Sequence, residues 1–254
     1  MISLKSKREI QLMRQAADVL KLVFQEVHKH IRPGIATDEL DQFAEKVIRD
    51  AGAEPAFKGY RGFPKTACIS VNEEVVHGIP GNRILKEGDI ISFDIGARVQ
   101  GYYADAARTW PVGTVTKDEM LLIKTAKDAL DAGLAAYKPG CRIGDLAEAI
   151  QKLIESRGFQ VVREYVGHGI GRAIHEDPQV PNYGKAGQGA RIQPGMVLAI
   201  EPMVTQGNCA VEILQDGWTV VTKDRKPASH YEDDIAFSEE GFVILTRDEP
   251  DVSV

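Results

Sequence analysis

Two stretches of this chain, about 106 residues apart, are written to the same pattern, and that duplication restricts the fold more than any other property of the 254 residues. Residues Glu9 to Ile31 place Ile10, Met13, Ala17, Leu20, Phe24, Val27 and Ile31 at steps of three and four, one helical face, and Arg32-Pro33-Gly34 ends it. Thr37 is then expected to cap a second helix, with Asp38 and Glu39 in its first turn, Leu40, Phe43, Val47 and Ile48 buried, and Gly52 as the stop. The pattern returns at Thr116-Lys117-Asp118-Glu119, a capping box, followed by the stripe Leu122, Ile123, Ala126, Leu130 and Leu134 and the stop Lys138-Pro139-Gly140. A further helix runs through Leu146, Ile150, Leu153 and Ile154 to Gly158. Pro33, Gly34, Leu40 and Gly52 align with Pro139, Gly140, Leu146 and Gly158 at constant offset. Glu87 to Asp94 likewise matches Pro194 to Glu201: a turn, an apolar strand, then a carboxylate. Two long copies do not make a solenoid. The expectation is an α+β fold with pseudo-twofold symmetry, one domain spanning 1–254, whose halves, about 1–112 and 113–254, meet around a shared site.

A buried strand that ends in a carboxylate needs something to offset the desolvation of that charge, and a cation is the obvious partner. Asp94 to Trp110 reads as a hairpin. With Val99 and Gln100 as its loop, Asp94 falls directly opposite Asp105, two like charges on one face. Four histidines stand in distinctive settings: His77-Gly78-Ile79-Pro80, His168-Gly169-Ile170-Gly171, His175-Glu176-Asp177-Pro178, and His230. A glycine after histidine is expected to let the backbone approach a ligand and to leave the imidazole accessible. His28 and His30 read instead as a solvated helix end. Glu201 is followed by Pro202, which holds the residue before it extended, and Glu232 opens another apolar run. Glu73, Glu74, Glu164, Asp216, Glu239 and Glu240 lie beside turns and read as solvated surface.

Asp94, Asp105, His168, Glu201 and Glu232 thus form a set of four carboxylates and one imidazole. Such an oxygen-rich set suits manganese, iron or cobalt better than structural zinc, though zinc remains an option. Two divalent ions per chain balance four negative charges, and the chemistry expected of such a pair is hydrolysis. The composition agrees. With 31 Lys and Arg against 37 Asp and Glu, a net charge of −6 and no long basic cluster, neither DNA nor another polyanion is an expected partner. No apolar run of about eighteen residues and no apolar leader are present, so no membrane association and a cytoplasmic location are expected. Cys68, Cys141 and Cys209 are too few and too far apart for a disulfide framework and read as reduced packing residues.

In this order these residues resemble the short, type I methionine aminopeptidases, which have the pseudo-symmetric pita-bread fold, an antiparallel sheet flanked by helix pairs. The likeness covers nearly the whole chain. It includes Gly59 to Lys65, Cys68 to Glu73 running to His77-Gly78-Ile79-Pro80, Asp94-Ile95-Gly96 with Asp105, Gly167 to Gly171 with His175-Glu176, Ile200-Glu201-Pro202-Met203, and Asp216-Gly217-Trp218. The resemblance implies that Asp94 binds one metal, His168 and Glu201 the other, and that Asp105 and Glu232 bridge them. It implies that His77 contacts the scissile amide, that His175 polarises or stabilises its carbonyl oxygen, and that Glu201 also carries a proton from the attacking water to the leaving amine. Phe57, Tyr60, Phe63, Cys68, Ile174 and Trp218 occupy the positions of the methionine pocket, whose aromatic and sulfur lining suits a thioether.

The activity implied is removal of the initiator methionine from nascent polypeptides when the next residue is small, by a monomeric catalytic domain that touches the ribosome transiently through its own surface. One departure stands out. Many type I members have His-Thr after the bridging glutamate; this chain has Asp233-Asp234, and His230 stands where the family often has a small polar or amide residue. Two extra acids there are expected to raise the local negative potential and alter metal preference while activity is kept. Proline-specific relatives of the same fold carry a further N-terminal domain for which the eighty residues before His77-Gly78-Ile79-Pro80 leave no room. The run from Glu201 to Trp218 leaves none for the helical insertion of type II enzymes. A catalytically dead peptide-binding module would have lost ligands, and all five are present.

Overall fold

The structure is a computed structural model and describes residues 2–247. Helix α1, Lys7–His28, starts at a capping box in which Ser6 Oγ accepts the Glu9 N–H and the Glu9 carboxylate accepts the Ser6 N–H. Its apolar stripe continues to Ile31, but the helix stops at His28, five residues ahead of Pro33, and the chain turns away. This end is packed, not merely solvated: His30 lies on Phe43 with ring centroids 4.1 Å apart, and His28 on Trp110 at 5.2 Å.

Helix α2, Thr37–Asp50, is capped one residue earlier than the sequence predicts. Ala36 is the cap residue, its N–H donated to the Glu39 carboxylate at 2.9 Å. Thr37 is already helical, and its hydroxyl donates to the Gly81 carbonyl and accepts the Gly81 N–H. That ties the helix to the segment carrying His77. The second copy repeats the arrangement. Helix α3, Lys117–Ala135, begins at the expected Thr116/Glu119 capping box, and α4, Ile143–Ser156, begins with the Arg142 N–H donated to Asp145.

In the first half, strand β1 (Ala67–Val71) pairs antiparallel with β2 (Ile90–Val99), and β2 with β3 (Tyr102–Pro111). The hairpin turns at Gln100-Gly101, not at Val99-Gln100. A two-residue turn matching the strand twist needs positive φ at both central positions; Gln100 (50°) and Gly101 (82°) adopt it, whereas β-branched Val99 resists it. Asp94 therefore faces Ala107, and Asp105 faces Gly96. The register moves by two, so Asp94 and Asp105 stay on one face as diagonal neighbours, not as a directly opposed pair.

In the second half, β4 (Gly167–Gly169) lies between β5 (Glu176–Val180) and β6 (Val197–Ile200), and β6 pairs on its other side with β7 (Asp233–Phe237). Alternation decides which side chains reach the centre. Ile91, Phe93 and Ile95 of β2 pack into the core under α1 and α2, so Asp94 points the other way. Leu198 and Ile200 of β6, with Ile235 and Phe237 of β7, pack under α3 and α4, leaving Glu201 and Glu232 for the opposite face. Each such fully buried side chain contributes about 1.5–3 kcal/mol, which is what holds the register. The halves join where Ala107 and Glu232 exchange backbone hydrogen bonds of 3.3 and 3.0 Å.

Candidate metal centre

The junction brings Asp94 (β2), Asp105 (β3), His168 (β4), Glu201 (after β6) and Glu232 (before β7) to one cavity. Asp105, His168 and Glu232 each offer a donor atom within 4.8 Å of the others. His168 Nε2 lies 3.6 Å from Glu201 Oε1. The ring is aimed by its other nitrogen: Nδ1 is 3.0 Å from the Gly169 carbonyl, so the proton sits there and the Nε2 lone pair faces the carboxylates. Burial, with His175 as a second cause, holds His168 neutral by lowering its pKa to about 4.

The carboxylates are strained electrostatically. Burial raises Asp94 well above the usual range, with Asp105 and Glu201 adding repulsion; burial likewise raises Glu201 and Glu232, each repelled next by Asp105. Burial lifts Asp105 to about 7. Asp94 Oδ1, Asp105 Oδ1 and Glu232 Oε1 are buried with no hydrogen-bond partner among the described residues, an arrangement that is costly unless cations complete it. Four carboxylates and one neutral imidazole fit divalent ions chemically and in charge.

The same cavity is lined by Phe57, Tyr60, Phe63, Cys68 and Trp218, and by His77 and His175. Ile174 completes the apolar cluster, separate from both cores. All the residues singled out in the sequence are thus brought together. His175 stacks on Tyr60, with Nδ1 3.0 Å from its hydroxyl, and lies 4.3 Å from the His168 ring. Burial lowers His77 to about 4 and, with Arg61 behind it, lowers His175 as well. The glycines after His77 and His168 serve a purpose other than the expected one. A Cβ on Gly78 would meet the Ile69 carbonyl oxygen at 2.4 Å, and one on Gly169 the Asp177 carbonyl oxygen at 2.2 Å. It is the adjacent backbone, not a ligand, that demands them.

Several residues support the site through contacts that the sequence pattern did not reveal. Asp41 accepts the Thr66 and Ala67 N–H groups at the start of β1, next to Cys68. Asp216, exposed as expected, nevertheless accepts the Trp218 and Thr219 N–H groups and the Thr219 hydroxyl, and so holds Trp218 edge-on to Phe63. Glu74, also expected to be solvated, accepts the Val71 N–H and pairs with Arg83. Lys5 reaches under the segment between Gly171 and Glu176 to pair with Glu176 at 2.7 Å, and the other Glu176 oxygen accepts the N–H groups of Arg172 and Ala173. Only 4% of the Lys5 side chain is exposed. Lys5→Met, which leaves Glu176 unpaired, is expected to lower Tm by roughly 4–8 °C in calorimetry, for a loss of about 2 kcal/mol. Adding Glu176→Gln should recover at least half.

Asp233 and Asp234 do not act together. Asp233, on the face of β7 away from Glu232, pairs with Arg108 at 2.7 Å and with Arg247, and accepts the Thr246 hydroxyl at 2.6 Å. Two guanidiniums pair with it, so most of its charge is compensated locally and what reaches the centre is a minor repulsion of Asp234. Asp234 shares the face of Glu232 and accepts the Asp105 N–H at 3.0 Å; burial and then Asp105 raise its pKa well above the usual range. His230, also at the centre, is lowered to about 3 by burial.

Residues 11–239 match the description Metallopeptidase family M24. The methionine aminopeptidase 1 of Bacillus subtilis (strain 168) is 53% identical over 247 residues, 97% of this chain and 100% of that one. The solved methionine aminopeptidase from Thermotoga maritima superposes with a TM-score of 0.96 at 44% identity, covering 98% of this chain and 100% of that one. The one from Rickettsia prowazekii gives 0.95 at 36%, covering 97% and 100%.

Proposed function

Because the chain belongs to metallopeptidase family M24 and is a metal-dependent aminopeptidase that removes N-terminal methionine, we propose that Asp94, Asp105, His168, Glu201 and Glu232 hold two divalent ions beside a pocket for the methionine side chain. The observation that carries this is the trio of buried, partnerless carboxylate oxygens facing an apolar cavity. Manganese, iron and cobalt suit the donor set, and zinc is accommodated. When bound, the ions supply the Lewis-acid charge that activates water at neutral pH.

The chain's own residues do the rest. Phe57, Tyr60, Phe63, Cys68, Ile174 and Trp218 take the thioether, and each sulfur–aromatic contact contributes about 0.3–1.5 kcal/mol. That seats the first peptide bond against the carboxylates. Tyr60 Oη and His175 Nδ1 lie 3.0 Å apart; in the tautomer in which the hydroxyl donates, the imidazole proton is on Nε2, where it would stabilise the negative charge developing on the substrate carbonyl oxygen. His77, neutral at pH 7, orients the scissile amide. Glu201, on the cavity wall, accepts the proton of the attacking water and returns it to the leaving amine.

The substrates are the N-termini of nascent polypeptides in the cytoplasm, with a small residue after methionine, and the chain works as a monomer that contacts the ribosome through its surface. Among the described residues no helix is long and apolar enough to cross a membrane. Asp234, not Asp233, is the residue that sets metal preference apart from members with threonine there. Release of methionine from Met-X-Ser peptides, with X running from glycine to leucine and added Mn or Co, tests the substrate reading. We expect kcat/KM to fall at least tenfold across the series. Equal rates for all X would overturn the small-residue preference, and no turnover with any divalent ion would make the chain a binding module.

A further inference from the structure

We propose that His230 supplies a second imidazole to the metal centre, binding an ion through Nε2 where Glu201 and Glu232 face it. The inference rests on the reading that the carboxylates hold divalent ions. His230 closes the strand Ala228–His230, which pairs with Met203–Thr205 so that Met203 opposes His230, two residues beyond Glu201. Its backbone is fixed on both sides: the N–H donates to Thr109 Oγ1 at 3.0 Å, and the carbonyl accepts the Thr109 hydroxyl at 2.7 Å. The ring is 2% exposed, and among the described residues neither ring nitrogen has a hydrogen-bond partner. A histidine buried for packing alone satisfies at least one of them.

Nε2 stands 3.8 Å from Glu201 Oε2 and 3.8 Å from Glu232 Oε2. Neither contact is a hydrogen bond. Two donors that each lie about 2.1 Å from a common ion are roughly 3–4 Å apart, the spacing found here and again between His168 Nε2 and the other Glu201 oxygen at 3.6 Å. Glu201 therefore has an imidazole facing each of its oxygens. A second nitrogen donor favours cobalt, nickel and zinc over manganese.

The test loads the full metal-free chain with Co(II) and records the proton NMR spectrum in the paramagnetically shifted region, where the N–H of each coordinated imidazole gives an exchangeable signal. Two signals are expected in the unaltered chain and one in His230→Gln, with Co(II) affinity in calorimetry falling at least tenfold and Mn(II) affinity falling less. His230→Asn provides a second variant, and the count in the unaltered chain needs none. One shifted signal in the fully loaded unaltered chain, or unchanged Co(II) affinity in both variants, overturns the proposal and leaves the five-donor centre standing. No Co(II) binding by the unaltered chain overturns both.

Discussion

Asp105→Asn is expected to reduce methionine release by at least about a thousandfold, roughly 4 kcal/mol of transition-state stabilisation, while making the metal-free chain more stable. The two effects have one origin. Asp105 repels Glu201 and Glu232 across the buried cavity, and among the described residues its Oδ1 has no partner. Without ions, removing its charge relieves that repulsion; with ions, it would remove one of the proposed donors. A gain of about 2 kcal/mol in the metal-free protein raises Tm by roughly 5 °C. The sign of the pH dependence follows. Burial lifts the Asp105 pKa from its ordinary 3.8 to about 7 in the folded chain, so between those values the folded state binds more protons than the unfolded state. Stability of the metal-free chain therefore falls as pH rises from about 4 to about 7. Asp94, Glu201 and Glu232, raised in the same direction, contribute with the same sign. Asn at 105 should flatten the slope. Melting curves of the chelator-treated protein across pH 4–8 measure it, and a slope of opposite sign would contradict the account.

Asp233→Asn is expected to lower Tm by roughly 10 °C, for a loss of about 3–5 kcal/mol, while leaving metal affinity nearly unchanged. Asp233 is fully buried between Arg108 and Arg247, and the amide leaves two guanidiniums under-compensated. Arg108 retains the carbonyls of Ala107, Glu232 and Thr246, and Arg247 retains Asp131, so local collapse is not the expected outcome. Changing Asp234 to Thr alone should do the reverse, altering the relative affinities for Mn and Co with little loss of Tm. Thermal melts and metal titrations on the two single variants separate the roles; equal effects on both readouts would mean that the two acids share one environment after all.

Strand parity is why so much of the centre was legible in the chain. Period-two alternation with Phe93 and Ile95 facing the core requires Asp94 to face away from it, and the offset of 107 assigns Glu201 the same place in the second half. The hairpin register was misplaced by two residues, yet because two is the period the carboxylates stayed on the correct face. Contacts between segments distant in sequence had no such period to betray them. Lys5 with Glu176 depends on where loops cross, and the glycines of the two His-Gly-Ile segments answer to a neighbouring strand's carbonyl.

The order of elements, the duplication and the candidate donors were legible in local chemistry: helix stripes, caps and strand alternation act over a few residues and can be read from them. Which of two adjacent acids, Asp233 or Asp234, belongs to the centre was decided only when Arg108 and Arg247 arrived on one face of their strand, and the environment of His230 only when Thr109 clamped its backbone beside Glu201. A charge in a low-dielectric interior is governed by its nearest partners, and those partners are brought by the packing of the two halves.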